Sequence, residues 1–130
     1  MKDVEDHLNN IQSRLTASPM ILEIEIVSRR ELDDRGYFRA RLKLINHDFL
    51  EVSEYFEIQA GVVQTKEYRH QWMDGTKQEL KKRWDNATHY PDLPNFPNHI
   101  HVGSENQVVS GQLLSIIELI DVIEQELEKT

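Results

Sequence analysis

The segment from residue 83 to residue 103 concentrates side chains that can carry out chemistry. It reads RWDNATHYPDLPNFPNHIHVG and holds three histidines, two aspartates and one arginine. Imidazole exchanges protons near neutral pH and also binds metal ions, whereas guanidinium recognises phosphate. The candidate catalytic residues of this segment are Arg83, Asp85, His89, His99 and His101.

Three interpretations of this segment stay open. His99 and His101 stand two positions apart and point to the same side of an extended chain. With Arg83, two imidazoles could cleave a phosphodiester by metal-free acid–base catalysis. With His89 or Asp85 they form a weaker candidate metal site, because the spacing is not a standard zinc signature. In the third interpretation, the histidines rigidify the proline-containing loop. Because the metal interpretation is the weakest of the three, we predict that the protein binds neither a metal nor a cofactor.

Glu54 is a further catalytic candidate. It falls on the same face of a predicted strand as Val52 and Phe56, and an ionised carboxylate on an apolar face is costly unless it is paired. Such a residue can act as a general acid or base. The alternatives are a satisfied ion pair, or a strand bulge that turns Glu54 outward.

An aromatic row follows on the next predicted strand. Tyr68, His70 and Trp72 alternate along the chain and therefore share one face of that strand. This face is suited to stacking a base or nucleotide, so we predict these residues as substrate-binding. The alternative is that the row belongs to the core.

A row of basic residues, Arg39, Arg41 and Lys43, offers a candidate phosphate-binding strip. The alternative interpretation, which we favour, pairs them with Glu23 and Glu25 across a hairpin, because opposite charges on facing strands are mildly stabilising.

The spacing of the apolar residues predicts an α+β fold, whose helices and strands must position these side chains. Val4, Leu8, Ile11 and Leu15 form one helical stripe, which ends at Ser18-Pro19. Alternating patterns then predict strands at residues 22–26, 38–44, 49–58, 62–73 and 78–84. We expect a single domain over residues 1–130: a five-stranded antiparallel meander packed against N- and C-terminal helices, with a His/Pro-rich loop at 86–110.

The C-terminal helix, predicted at residues 112–129, has an unusually wide apolar stripe. Its width exceeds what one sheet face needs. We therefore predict that part of this stripe contacts a second copy of the chain, as a homodimer, or a partner.

Composition excludes several classes of protein. The chain has 130 residues and no cysteine, so disulfides, thiolate catalysis and iron–sulfur clusters are excluded. Its apolar runs are too short to cross a membrane and its acidic N-terminus is not a secretory signal, so we expect a cytoplasmic protein. The net charge of −8 argues against a general nucleic-acid coat. Residues 1–34, 35–103 and 104–130 nevertheless carry −4, +1 and −5, which leaves the middle third as the part that could contact an anion.

The motif-bearing segments resemble the TumE-type toxins of prokaryotic toxin–antitoxin pairs. The matching runs are RWDNA at 83–87, PDLP at 91–94, Phe96-Pro97, HIHVG at 99–103 and LEVSEY at 50–55. By position, the resemblance carries over as a polar set Glu54, Trp72, Arg83, Asp85, His89, His99 and His101. It implies a small toxin with a cognate antitoxin, and it supplies no reaction.

The leading hypothesis is therefore a toxin that acts on RNA or a nucleotide, a possible ribonuclease, with His99 and His101 as acid and base and Arg83 on the phosphate. One alternative is a non-enzymatic, dimeric binding module. The other is a metal-assisted hydrolase. Neither a membrane nor a cofactor is expected among its partners.

Overall fold

The computed structural model describes residues 3–129, which form two helices and one seven-stranded sheet. The elements in chain order are α1 Val4–Ala17, β1 Ile21–Glu31, β2 Arg35–Leu44, β3 Phe49–Gln59, β4 Val62–Met73, β5 Leu80–Asp85, β6 His99–Val102, β7 Val108–Ser110 and α2 Ile116–Glu128. Neighbouring strands in the chain are neighbours in the sheet, and each pair is antiparallel. The predicted α+β class and meander are confirmed.

The predicted number of five strands is wrong, because the 86–110 segment contains β6 and β7. This segment carries Pro91, Pro94 and Pro97, but all three precede β6. From His99 the sequence alternates imidazole and aliphatic side chains, which is the two-residue period of a strand. The histidines are the buried members of that alternation, so polarity concealed the strand.

Both helices lie on one face of the sheet and close the core there. The N-terminus of α1 is capped by Asp3, whose carboxylate accepts a hydrogen bond from the Asp6 backbone N–H at 2.8 Å. The core combines the predicted stripe of α1 with the alternating apolar residues of β2 and β3 and the inner face of α2. Arg14 of α1 donates hydrogen bonds to Glu124 and Asp121 of α2, which ties the helices together.

Helix α2 begins at Ile116, four residues later than predicted, because Ser115 and Glu118 form a capping box. Its buried residues are Ile116, Leu119, Ile120, Ile123 and Leu127. Most of the wide stripe is therefore covered by the protein's own core, and dimerisation through it stays a prediction. No helix in the described range is long and apolar enough to cross a membrane.

Candidate functional site

The pairing of β5 with β6 brings the predicted catalytic residues together. Arg83 lies opposite His101, and Asp85 lies opposite His99. Trp84, between the two β5 residues, is buried in the core under the helices. Because side chains alternate along a strand, Arg83 and Asp85 project from the other face of the sheet, which we call the helix-free face.

Asp85, His99 and His101 form a buried group on this face, here called the aspartate–histidine cluster. His99 Nε2 lies 2.9 Å from Asp85 Oδ1, and His101 Nε2 lies 3.7 Å from Asp85 Oδ2. The three residues are only 5%, 2% and 3% exposed. Asp85 Oδ1 also accepts a hydrogen bond from the Ala87 backbone N–H. The carboxylate is therefore compensated by several partners, as a buried charge requires.

Backbone carbonyls fix the orientation of both imidazoles. His99 Nδ1 lies 2.9 Å from the Pro97 carbonyl oxygen, and His101 Nδ1 lies 3.0 Å from the Glu105 carbonyl oxygen. A carbonyl only accepts hydrogen bonds, so each Nδ1 carries the hydrogen and donates. Each Nε2 is then the nitrogen that faces Asp85.

Arg83 links the cluster to solvent. Its Nη2 donates to His101 Nε2 at 3.2 Å, and its Nε donates to Asp85 Oδ2 at 3.2 Å. Its two terminal nitrogens also bind the Glu105 carboxylate, each at 2.6 Å. The Glu105 side chain is 63% exposed, whereas that of Arg83 is 12% exposed. Hydrogen bonding between them raises the pKa of Arg83 and lowers the pKa of Glu105.

A pocket of about 820 Å³ opens over the cluster. Its floor is the helix-free face, and residues 86–90 form one wall. The Tyr90 ring packs against His99 and His101, with centroid distances of 4.8 and 5.8 Å. Its other lining side chains include Tyr37, Tyr55, Arg69, Arg83 and Glu105. The cluster is thus buried in the protein but borders a cavity large enough for a nucleotide.

Comparison with known protein families gives one match. The model of the family described as toxin TumE matches residues 11–130, which include every residue of the cluster. The chain belongs to the toxin TumE family. No curated protein and no solved structure matches it.

His89 occupies a different place from the other histidines of this TumE-family chain. It lines the pocket wall, is exposed, and contacts Tyr90 with ring centroids 6.3 Å apart. No ion pair or metal-ligand geometry joins it to the cluster in the described residues. The structure therefore brings together Arg83, Asp85, His99 and His101 from the predicted catalytic set, with His89 at the rim.

Glu54 lies on the opposite face of the sheet, beneath both helices, and is fully buried. Its Oε2 lies 2.9 Å from His7 Nε2 on α1, and its Oε1 accepts a hydrogen bond from the Ile116 backbone N–H at 2.8 Å. Thr65 also donates to Oε2 at 3.3 Å. This carboxylate binds the N-terminus of α2 and joins the two helices to β3, so it forms no common site with the aspartate–histidine cluster.

The aromatic row is also buried on the helix-covered face, where Tyr68, His70 and Trp72 are 4%, 0% and 7% exposed. Tyr68 and His70 stack on each other, and Trp72 Nε1 donates to Asp48 Oδ2 at 2.9 Å. Burial raises the pKa of Tyr68 and lowers that of His70 to about 4. These surroundings support packing, and they leave no open face on which a base could stack.

The basic row is paired with carboxylates, but the predicted partners Glu23 and Glu25 are wrong for its two arginines. Arg39 and Arg41 both bind Glu51 of β3, at 2.9 and 3.1 Å, whereas only Lys43 approaches Glu23. Glu51 is partly buried, which works against ionisation, yet the two arginines hold the pKa of Glu51 below its usual value. The row is a set of ion pairs between strands.

Sequence reasoning missed His7, Tyr90 and Glu105. His7 lies next to Leu8 and four positions before Ile11 on the apolar stripe of α1, so helical spacing offered a signal for its burial. Glu105 lies in the turn between β6 and β7, and nothing in its spacing along the sequence connects it to Arg83.

Proposed function

We propose that this TumE-family chain is the toxin of a toxin–antitoxin pair and that it cleaves RNA in the pocket on the helix-free face. The observation that carries the proposal is the contact of Arg83 with both the aspartate–histidine cluster and the pocket. A guanidinium next to two oriented imidazoles and a carboxylate is a set of groups that can bind a phosphodiester and move protons around it.

The Arg83–Glu105 pair supports phosphate binding at this point. A guanidinium binds carboxylate and phosphate with the same two-point geometry. Glu105 comes from an exposed turn, so a substrate phosphate can displace its carboxylate without unfolding any strand. The phosphate would then lie beside His101, because Nη2 of Arg83 also donates a hydrogen bond to His101 Nε2.

Metal-free cleavage assigns proton transfer to the Nε2 atoms of His99 and His101, because both Nδ1 atoms are bound to carbonyls. One imidazole would remove the proton of the attacking hydroxyl, and the other would donate a proton to the leaving oxygen. Asp85 would orient the two rings and stabilise whichever one is positively charged.

The distribution of charge favours the helix-free face for the approach of RNA. The helices α1 and α2 lie on the other side of the sheet, and α2 carries five acidic residues and no basic one. Phosphates are repelled there and meet arginines on the helix-free face. This arrangement reconciles an acidic protein with an anionic substrate.

The partner that we propose is a cognate antitoxin, as the family's toxin description suggests. A protein that blocks the pocket or excludes RNA from the helix-free face would suffice to neutralise the toxin. Co-expression with the product of the neighbouring gene tests this pairing directly, because it should restore growth.

The test is regulated expression in a bacterium, with growth and the integrity of total RNA followed over time. The variant is the double substitution His99→Ala and His101→Ala. The matched control is His47→Asn, since His47 lies in an exposed turn and asparagine tolerates its positive φ of 72°. Immunoblotting checks that all three proteins reach equal abundance.

We expect growth arrest with new RNA fragments from the wild type and from the His47→Asn control, and neither effect from the double variant. Arrest with intact RNA would overturn the assignment of RNA as substrate. Arrest that persists in the double variant would overturn the catalytic role of the cluster and favour a binding module. Absence of arrest from abundant soluble protein would overturn the toxin function itself.

A further inference from the structure

We propose that Asp85, His99 and His101 bind one divalent transition-metal ion of the zinc class, with an open coordination position facing the pocket. Sequence spacing alone argued against this site, because the ligands match no standard zinc signature. The fold brings the ligands together, because the pairing of β5 with β6 places Asp85 directly opposite His99.

The donor atoms already converge. One ligand atom from each residue lies within 4.8 Å of the other two. A tetrahedral ion with metal–ligand bonds of about 2.1 Å requires ligand atoms about 3.4 Å apart. His99 Nε2 lies 2.9 Å from Asp85 Oδ1 and His101 Nε2 lies 3.7 Å from Asp85 Oδ2, so each imidazole is already close to this separation from one oxygen of the carboxylate.

The surroundings of the two imidazoles are those of metal ligands. Histidines that bind metals usually donate their other ring N–H to a carbonyl or a carboxylate, which fixes the tautomer and the ring orientation. His99 and His101 both do so, to the carbonyls of Pro97 and Glu105. Both rings are buried with Nε2 towards Asp85, which supplies a negative charge that offsets part of the charge of the ion.

Arg83 is the group that opposes the ion. Its Nη2 uses the lone pair of His101 Nε2, and its Nε contacts Asp85. Metal binding must therefore release the hydrogen bond to His101 Nε2, which has a single lone pair, whereas Asp85 can keep one oxygen for Arg83 Nε and the contacts of Arg83 with Glu105 can stay. In that position the guanidinium lies at the pocket side of the ion, where it can bind an anionic ligand of the metal.

This inference goes beyond the proposed function: it keeps RNA as the substrate of the pocket, on which it rests for the identity of the reaction, and it replaces metal-free proton transfer by His99 and His101. Two imidazoles and one carboxylate leave coordination positions for water and substrate, as in catalytic zinc sites. A bound ion would polarise the phosphate and lower the pKa of a bound water, and His99 and His101 would then be ligands and not proton carriers. The ion can be detected without any substrate.

The experiment measures Zn²⁺ binding to the full chain by calorimetry and metal content after gel filtration. Asp85→Asn and His101→Gln each remove one ligand, and His47→Asn is the control for adventitious binding by a surface histidine. Arg83→Gln removes the opposing cation and keeps all three ligands. Circular dichroism checks that each variant is folded.

We expect one Zn²⁺ per wild-type chain, at least ~10-fold weaker binding in each ligand variant, and unchanged binding in the control. Arg83→Gln should bind Zn²⁺ several-fold more tightly, which keeps the inference testable even if a ligand variant does not fold. Absence of stoichiometric binding, or equal affinity in all folded variants, would overturn the metal site. RNA cleavage by metal-free protein would overturn a catalytic role of the ion and leave the proposed function intact. Stoichiometric Zn²⁺ binding by a protein that cleaves no RNA would support the metal site and overturn the proposed function.

Discussion

Acidification should destabilise the protein through His70, which is completely buried between the sheet and the helices. Its Nε2 lies 2.9 Å from the Leu114 carbonyl oxygen, so the neutral ring donates there, and its Nδ1 has no hydrogen-bond partner in the described chain. A proton on Nδ1 would create a buried charge without a partner. Desolvation therefore lowers the pKa of His70 to about 4 in the folded protein.

The sign and size of the effect follow from linkage. In the unfolded chain the pKa of histidine is about 6.5, so between about pH 6.5 and pH 4 the unfolded state binds more protons than the folded state. The stability that neutral His70 provides is complete above this window and is lost as the pH falls through it. At about pH 4.5 the loss amounts to about 2.5 kcal/mol, a large part of the usual stability of a small domain.

The assay is urea denaturation of the wild type and of His70→Gln at a series of pH values between about 7 and 4.5. Glutamine keeps an N–H that can donate to the Leu114 carbonyl but does not titrate in this range. The difference between the two unfolding free energies should change by about 2.5 kcal/mol across the series, because other titrating groups are common to both proteins. A difference independent of pH would refute the reasoning and show that His70 accepts a proton without cost.

Three further predictions test other contacts. Glu54→Ala should lower the free energy of unfolding by about 3 to 5 kcal/mol in denaturant titrations, because it leaves His7 and the Ile116 N–H without their buried partner; a loss below 1 kcal/mol would contradict the structural function of Glu54. Gly36→Ala should cost about 1 to 3 kcal/mol in the same measurement, since an added Cβ would lie 2.6 Å from Phe56 Cζ in the core, and an unchanged midpoint would argue against this close approach. Glu105→Gln should bind a short RNA several-fold more tightly in a fluorescence anisotropy titration, because it removes the carboxylate that pairs with Arg83. Weaker binding would show that Arg83 does not bind the phosphate.

Local patterns predicted most of the fold because the core depends on periodic apolar residues. The stripe of α1 and the alternation in β2 and β3 are both buried as expected. The pattern failed where the inward-facing residues are polar. In β6 the buried positions are His99 and His101, which face a carboxylate and two carbonyls, so hydropathy alone indicated a loop.

The candidate site was predictable in composition but not in arrangement. Arg83, Asp85, His99 and His101 were selected from residue types, and the strand register then placed them in contact. Their separation from Glu54 could not be predicted, because it depends on the face of the sheet from which the alternate side chains of β5 and β6 project. Trp84 decides this point: it is buried under the helices, which turns its neighbours Arg83 and Asp85 to the opposite face.

The buried carboxylates Glu54 and Asp85 lie in different surroundings, so loss-of-function variants at each must be interpreted differently. Glu54 holds α1 and the N-terminus of α2 against β3, so its removal is expected to abolish toxicity by unfolding the protein. Asp85 borders the pocket, and an asparagine there preserves the shape of the side chain and one oxygen acceptor for the Ala87 N–H. A folded but inactive Asp85→Asn variant thus indicates chemistry, whereas an inactive Glu54 variant indicates chemistry only if its stability is unchanged. Both carboxylates lie within residues 11–130, which the toxin TumE family model matches, so membership alone does not distinguish support of the fold from catalysis.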